Sequence, residues 1–363
     1  MTQPGPRRHI LIGYGLTPGT TGTYLEAALA AEHQVTYVGT PSGRRPGFVP
    51  HLDLAVYIAT LPSPPDVFLY VDSAVPYLPR RLERLPCPTA GYLIDVHLGQ
   101  SLRRPLAALF DHVFVAQKDY VELYQAGRDQ RVTWLPLAAD PTLAGDRLPE
   151  EYDVGFAGNV HAPGYERRRA LLAALETRFR VNEYRRYYPR DEMLALYRRS
   201  RIVVNDAIGG DLNMRVFEAL ASGALLITNR IENGLFDLFR DREHLVTFAS
   251  IPEAIDAVDY YLTHEEERRR IAAAGRAEVL ARHTYHHRAR ALVTAVFATA
   301  TPGRSPLREV SEDRTIALYA RLYGKLRLLD PAWEVTREAF DRRAARRPAL
   351  AGLIGAFARR LHG

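Results

Sequence analysis

Asp211-Leu-Asn-Met-Arg-Val-Phe-Glu218-Ala-Leu-Ala-Ser-Gly223-Ala-Leu-Leu-Ile-Thr-Asn229 is the stretch that says most about this chain. Asp211, Asn213, Met214, Arg215 and Glu218 lie at the start of a short helix. Gly223 ends that helix, because glycine accepts the positive φ of a helix C-terminus. An apolar strand, residues 224–228, follows at once. A helix start gathers partial positive charge and free backbone N–H groups, which suits a phosphate. A carboxylate one turn further in can grip the two hydroxyls of a ribose. On that reading the segment is a sugar-nucleotide pocket. The alternative is an N-capped amphipathic helix with Glu218 in solvent, and helix chemistry alone does not choose between them.

Outward from this point the chain alternates strand and helix. Upstream stand a strand at 152–157, the loop opened by Gly158 and Asn159, a helix at 167–177, a strand at 180–184, a helix at 191–200 and a strand at 201–205. Downstream come a strand at 246–248 and helices at 252–263, 265–281 and 287–298. The first half runs the same way. A strand at 9–13 is broken by Gly13-Tyr-Gly15, and Thr20-Thr21-Gly22-Thr23 leads into a helix at 24–31. Strands follow at 34–39, 66–71, within 86–95 and at 111–115, with helical stretches near 76–84, 101–109 and 118–126. Residues 132–141 close this half, and 143–151 form a polar linker. Such alternation predicts parallel sheets covered on both faces, with ligands at the carboxyl ends of the strands. The expected organisation is α/β, with two Rossmann-like doubly wound domains, 1–145 and 150–300, facing a central crevice. A helical extension, 312–363, follows a linker at 302–311.

Composition bounds the function. A chain of 363 residues is too long for one core, and 47% hydrophobic with 25% charged residues is the balance of a soluble globular protein. Cys87 is the single cysteine, which excludes an internal disulfide framework and a cysteine-based zinc site. The start has charge but no apolar core of a signal peptide, and no run approaches the roughly 18 apolar residues that span a bilayer. The expectation is a cytoplasmic protein. Of the net charge of +6, seven arginines against Glu338 and Asp341 place +5 in residues 337–363. The rest is nearly neutral, so nucleic acid is not an expected partner. Leu350, Leu353, Ile354, Phe357 and Leu361 fall on one helical face beside that arginine cluster. This face suits peripheral contact with a membrane surface, or docking on the protein or a second subunit. Docking is the preferred reading.

Seven segments, in order, carry a family resemblance. They are Tyr92-Leu-Ile-Asp-Val-His97, Asp111-His-Val-Phe-Val-Ala-Gln-Lys-Asp-Tyr120, Trp134-Leu-Pro-Leu-Ala-Ala-Asp-Pro141, Asp153-Val-Gly-Phe-Ala-Gly-Asn159, Tyr197-Arg-Arg-Ser-Arg-Ile-Val-Val-Asn205, 211–223 and His283-Thr-Tyr-His-His-Arg288. They resemble the GT-B glycosyltransferases, in particular the spore-maturation CgeB-like group related to the family 4 retaining enzymes, over about 90–290. The resemblance implies transfer of a sugar from a nucleoside diphosphate, UDP favoured and GDP the alternative, to a hydroxyl acceptor. It implies no further cofactor. Glu218 matches the second glutamate of the family's E-x7-E motif, which holds the ribose. The first would fall at position 210, which is Gly210 here, with Asp211 beside it. His97 resembles the histidine pointed at the donor sugar. Gly13, Gly15 and Thr21 stand where the first-half loop approaches the phosphates and the acceptor. Arg167 or Arg168 matches the basic residue that neutralises the leaving diphosphate.

The chemistry makes matching demands. Breaking a sugar–phosphate bond builds negative charge on the diphosphate and positive charge on the ring, so fixed cations and N–H dipoles are needed at the first. No Asp-x-Asp pair that would hold a metal diphosphate occurs. A retaining enzyme needs no side-chain nucleophile, whereas an inverting one needs a first-half base, for which His97 and Asp95 are the candidates. Gly13-x-Gly15 lacks the third glycine and the later acidic residue of a dinucleotide fingerprint, which argues against NAD. His283, His286 and His287 lack partners at metal-ligand spacing and read as capping and packing residues. Tyr184, Tyr187 and Tyr188 among arginines read as surface strand and loop. Two other function classes remain: a sugar-nucleotide epimerase of the same fold, and a non-catalytic nucleotide-sugar or glycan-binding protein.

Overall fold

The computed structural model describes residues 6–42, 45–298 and 303–340. The chain forms two compact units, one from residues 1–135 and 289–363, the other from 136–288. The first holds β1 (His9–Gly13), β2 (Gln34–Tyr37), β3 (Val67–Val71), β4 (Thr89–Leu93), β5 (His112–Val115) and β6 (Arg131–Trp134). They are parallel, in the order β2-β1-β3-β4-β5-β6. β3, β4 and β5 are buried at every residue, as strands covered on both faces should be. Helices α1 (Thr21–Ala30), α2 (Leu54–Ala59) and α3 (Gln100–Ala107) connect them. Because β2 and β3 flank β1 on opposite sides, the connections diverge between β1 and β3, where the ends of parallel strands open a crevice. The helix expected near 76–84 is a short 3-10 turn, Leu82–Arg84. Pro76 and Pro79 remove the backbone donors that a longer helix would need.

The second unit contains β7 (Tyr152–Gly155), β8 (Ser200–Asn205), β9 (Leu225–Asn229) and β10 (Val246–Phe248), parallel in the order β10-β9-β8-β7. Around them lie α4 (Glu166–Glu176), α5 (Arg190–Arg199), α6 (Met214–Ser222), α7 (Leu235–Leu238), α8 (Ile251–Thr263) and α9 (Glu265–Arg282). The strand expected at 180–184 is a single bridge. Val154 pairs with Val181 on one side and with Ile202 of β8 on the other. The ladder goes no further because the Asn182 side chain takes over, accepting from Phe156 N at 2.8 Å and donating to Phe156 O at 2.9 Å. That bridge restores a doubly wound order and puts the switch point between β7 and β8.

The division of the chain does not follow chain order. The boundary falls inside α10 (Tyr285–Phe297), after which the chain completes the first unit with α11 (Glu312–Leu326) and α12 (Leu329–Phe340). Residues 312–340 are therefore part of a core rather than an appended tail. Ile316, Tyr319, Ala320 and Tyr323 recur at helical spacing on α11 and join Leu11, Phe68, Tyr70 and Phe110 in one cluster. Tyr323 donates to Leu78 O at 3.0 Å, and the Tyr319 hydroxyl accepts from Leu82 N at 3.1 Å. Arg308, just before α11, grips Asp111 bidentately at 2.9 Å and 2.9 Å. The apolar face at 350–361 lies outside the described residues.

Candidate functional site

In the second unit the switch point is flanked by the loop after β7 and the loop after β8, and two arginines tie these loops together. Arg168 of α4 reaches to the loop after β8, donating from Nη2 to Asp206 O at 2.6 Å and from Nε at 3.1 Å. It also holds its own loop, through Asn159 O at 2.8 Å. Arg215 of α6 reaches the other way, to Ala157 O at 3.0 and 2.8 Å, and holds Asn205 Oδ1 at 2.7 Å. Each helix thus grips the other's loop. Gly158 packs against Arg215: a Cβ there would lie 2.0 Å from Nη2, so the guanidinium would have to shift. Asn159 folds its loop by accepting from His161 N at 2.8 Å and Ala162 N at 3.3 Å. Burial, with Arg215 beside it, lowers the Arg168 pKa to about 10, which still leaves it a cation at neutral pH.

Glu218 sits near the middle of α6, 7% exposed, between Phe217 and Ala219, which are fully buried. Burial pushes its carboxyl up to about 7, against the opposing pull of Arg215 and Arg190. Its carboxylate has no hydrogen bond or ion pair to any described residue. A carboxylate kept buried and unpaired is costly, and such perturbed groups gather at functional sites. At the start of the same helix, Asn213 occupies the N-cap position without capping. Its Nδ2 donates instead to Asn205 Oδ1 at 3.3 Å. Met214 and Arg215 open the helix, and Gly223 ends it in the left-handed conformation, φ 77°. Gly210 is also left-handed, φ 72°, with nothing within 4 Å of a Cβ, so the space beside it is open.

Arg167 is the more exposed of the two arginines. Its Nε lies 3.6 Å from Asp206 Oδ1, and its Nη2 donates to Ala249 O at 3.1 Å. Asp206 is 2% exposed, and burial raises its pKa in spite of Arg167.

The first unit gathers a second group at the ends of β1, β3 and β4. Gly13 ends β1. Gly15 packs so closely that a Cβ would meet Val75 O at 2.3 Å, and its N–H donates to Ser73 Oγ at 3.0 Å. Thr21 opens α1 and is 3% exposed. Asp95 and His97 lie in the tight turn after β4, closed by Leu98 N donating to Asp95 O at 2.9 Å. His97 Nδ1 is buried without a hydrogen-bond partner. Arg103 of α3 donates to Asp72 at 2.6 Å and to Leu98 O at 3.1 Å, and lies 3.6 Å from Asp95. The predicted residues thus assemble into two sets, one in each unit. Asp72, Arg103, Asn205 and Asp206 join them without having been singled out from the sequence. For Asp72, Asn205 and Asp206 the signal was position, at or just beyond the end of a strand, whereas Arg103 lies within α3 and carried no local signal.

The histidines near 285 serve structure. His283 lies against the Phe239 ring at 4.9 Å, and burial, with Arg288 beside it, lowers its pKa to about 4. His287 Nδ1 pairs with Thr284 Oγ1 at 2.7 Å. Among the described residues no group of three or more His, Cys, Asp or Glu side chains is arranged to hold a metal ion. No helix among them is long and apolar enough to cross a membrane.

Solved structures share this fold at low sequence identity. Anabaena HepE in complex with UDP-glucose aligns with a TM-score of 0.59 at 11% identity, over 81% of this chain and all (100%) of that one. Sucrose-phosphate synthase from Thermosynechococcus elongatus gives 0.57 at 12% identity, over 80% and 98%. T4 phage BGT in complex with its UDP-glucose substrate gives 0.54 at 11%, over 80% and 99%. The fold is that of the GT-B glycosyltransferases. At these identities the likeness is one of fold. In sequence, residues 144–294 match the family described as glycosyl transferase-like, a span that includes most of the second unit. A comparison with curated protein sequences gives no match.

Proposed function

We propose that the protein is a glycosyltransferase that moves a sugar from a nucleoside-diphosphate sugar, UDP-linked in preference to GDP-linked, to a hydroxyl acceptor. The observation that carries this reading is Glu218, a buried carboxylate without a partner, on the helix that starts after Asn213 at the β7–β8 switch point. A ribose diol supplies two hydroxyl donors, the complement such a carboxylate lacks. The start of α6, with the loop at Gly158 and Asn159, suits the diphosphate, and Arg167 supplies an exposed cation. Asp211 and Asn213 stand on the sugar side, where Gly210 leaves room. Two further points support the reading: the family match over 144–294, and the UDP-glucose held by HepE and by T4 phage BGT.

The second unit is the donor-binding domain in this reading, and the first is the acceptor-side domain, with Gly13, Gly15 and Thr21 lining the approach. His97 meets the donor sugar, with Asp95 beside it. Fixed cations and helix-start amides stabilise the leaving diphosphate, so the transfer needs no metal, and leaving-group oxygen helps deprotonate the acceptor with retention. The subgroup is CgeB-like and the setting cytoplasmic.

A thermal-shift panel of UDP, GDP and their sugars tests the reading, followed by product analysis without acceptor. Binding of one donor with slow hydrolysis, both lost in Glu218→Ala, is the expected result. A changed sugar configuration in the recovered donor would make the protein an epimerase, and binding without any turnover would make it a binding protein. No shift with any UDP or GDP compound would sink the proposal.

A further inference from the structure

His97 lacks the partner that usually orients a working histidine. In most such sites the second ring nitrogen is anchored by a carboxylate or carbonyl. Here Nδ1 is buried with no hydrogen bond, so the backbone of the turn must set where the ring stands. That turn is itself held from outside. Arg103 Nη1 donates to Leu98 O at 3.1 Å, and Nη2 stands 3.6 Å from the Asp95 carboxylate. On the far side Tyr124 donates to Val96 O at 2.9 Å. Arg103 is fixed in turn by Asp72, which receives Nε at 2.6 Å; the two side chains are 14% and 8% exposed. Asp72 is tied to the sheet through its own N–H, donating to Tyr92 O at 2.8 Å. The order of constraint runs from the sheet to Asp72, to Arg103, to the turn, to the imidazole.

We propose that Arg103, locked by Asp72, is the positioning residue that places His97 for sugar transfer. The proposal rests on the reading of His97 as the group that meets the donor sugar. Arg103 is suited to this task because its planar fork serves three acceptors at once, which a lysine ammonium on a flexible stem does not do. All three of its nitrogens are engaged within the unit, so it acts through the turn rather than on the diphosphate.

A double-mutant cycle on the full chain tests this, using the nucleotide sugar that the donor panel identifies. Arg103→Ala lowers kcat about 10- to 100-fold, the cost of misplacing a reacting group by about 1 Å, with KM for the donor changed less than about threefold. In a His97→Ala background the same substitution causes no further loss, because the residue it positions is gone. Arg103→Lys keeps the charge opposite Asp72 and falls between the two. If Arg103→Ala does not fold, Arg103→Lys and Asp72→Asn complete the cycle. Equal losses in both backgrounds would mean a general structural role and overturn the proposal. Unchanged kcat in Arg103→Ala beside a crippled His97→Ala would remove the positioning role alone. Full activity in His97→Ala, or no donor that binds, would remove the reading beneath it as well.

Discussion

Replacing Glu218 by glutamine should make the folded protein more stable while destroying its binding site, and the size of the gain should depend on pH. Burial raises the Glu218 carboxyl from 4.5 to about 7. Between those values the native state holds a proton that the unfolded chain has released, so stability falls as pH rises through the window. The penalty is nearly absent at pH 4.5, amounts to about 2 kcal/mol at pH 6, and reaches about 3 kcal/mol by pH 8, at roughly 1.4 kcal/mol per tenfold change in acidity. Glutamine has nearly the same shape and no charge, so Glu218→Gln removes the whole pH-dependent part and leaves at most a constant offset. Tryptophan fluorescence is the wrong probe, because Trp134 and Trp333 both belong to the first unit. Amide hydrogen exchange over 214–229, in the parent and the variant at pH 4.5, 6 and 8, reads the second unit directly. The expected protection difference grows by about 3 kcal/mol across that range. A difference independent of pH would show that Glu218 carries no uncompensated buried charge, and the argument for a waiting ribose ligand would go with it.

Nucleotide binding should show the opposite dependence. If the ionised carboxylate accepts the ribose hydroxyls, UDP affinity measured by calorimetry falls about tenfold per pH unit below 7 and levels off above it. Gly158→Ala must push Arg215 off Ala157 O; we expect about 1–2 kcal/mol lost from UDP binding, read by the same titration. Arg308→Ala leaves Asp111 buried without its bidentate partner, and should cost about 3–5 kcal/mol in urea unfolding followed by tryptophan fluorescence. The Arg308 guanidinium and neighbouring amides hold the Asp111 carboxyl below its usual value despite burial. Its contribution is therefore present above the unfolded pKa and lost as pH falls through the lowered one, and Arg308→Ala should abolish that acid sensitivity. Gly210→Ala meets no atom but forces a side chain into the left-handed region, for a loss of about 1 kcal/mol seen in the melting temperature with donor binding retained.

Much of the frame was legible because the forces that set it act locally. Residues 201–205 and 224–228 read as buried strands, and β8 and β9 stand there because apolar runs of that length have few other ways to bury both faces. Gly223 was read as the stop of α6 and takes the left-handed conformation that stop requires. The strand at 180–184 was not legible as a bridge, because its truncation depends on one side chain, Asn182, reaching Phe156 across the sheet. Arg168 offers a similar lesson. As one of two adjacent arginines it could be assigned to a diphosphate, yet its guanidinium is occupied by Asp206 O and Asn159 O, carbonyls whose position no local pattern records.

What the sequence determined by itself was most of the alternation of strands and helices and the parallel winding that follows from it, since periodicity and glycine stops are properties of neighbours along the chain. The tertiary structure decided the rest. It brought α11 and α12 into the first unit's core, set the reciprocal grip of Arg168 and Arg215, and left Glu218 buried without a partner. Burial and the supply of free hydrogen-bond acceptors are sums over residues distant in sequence, and only the folded chain performs that sum.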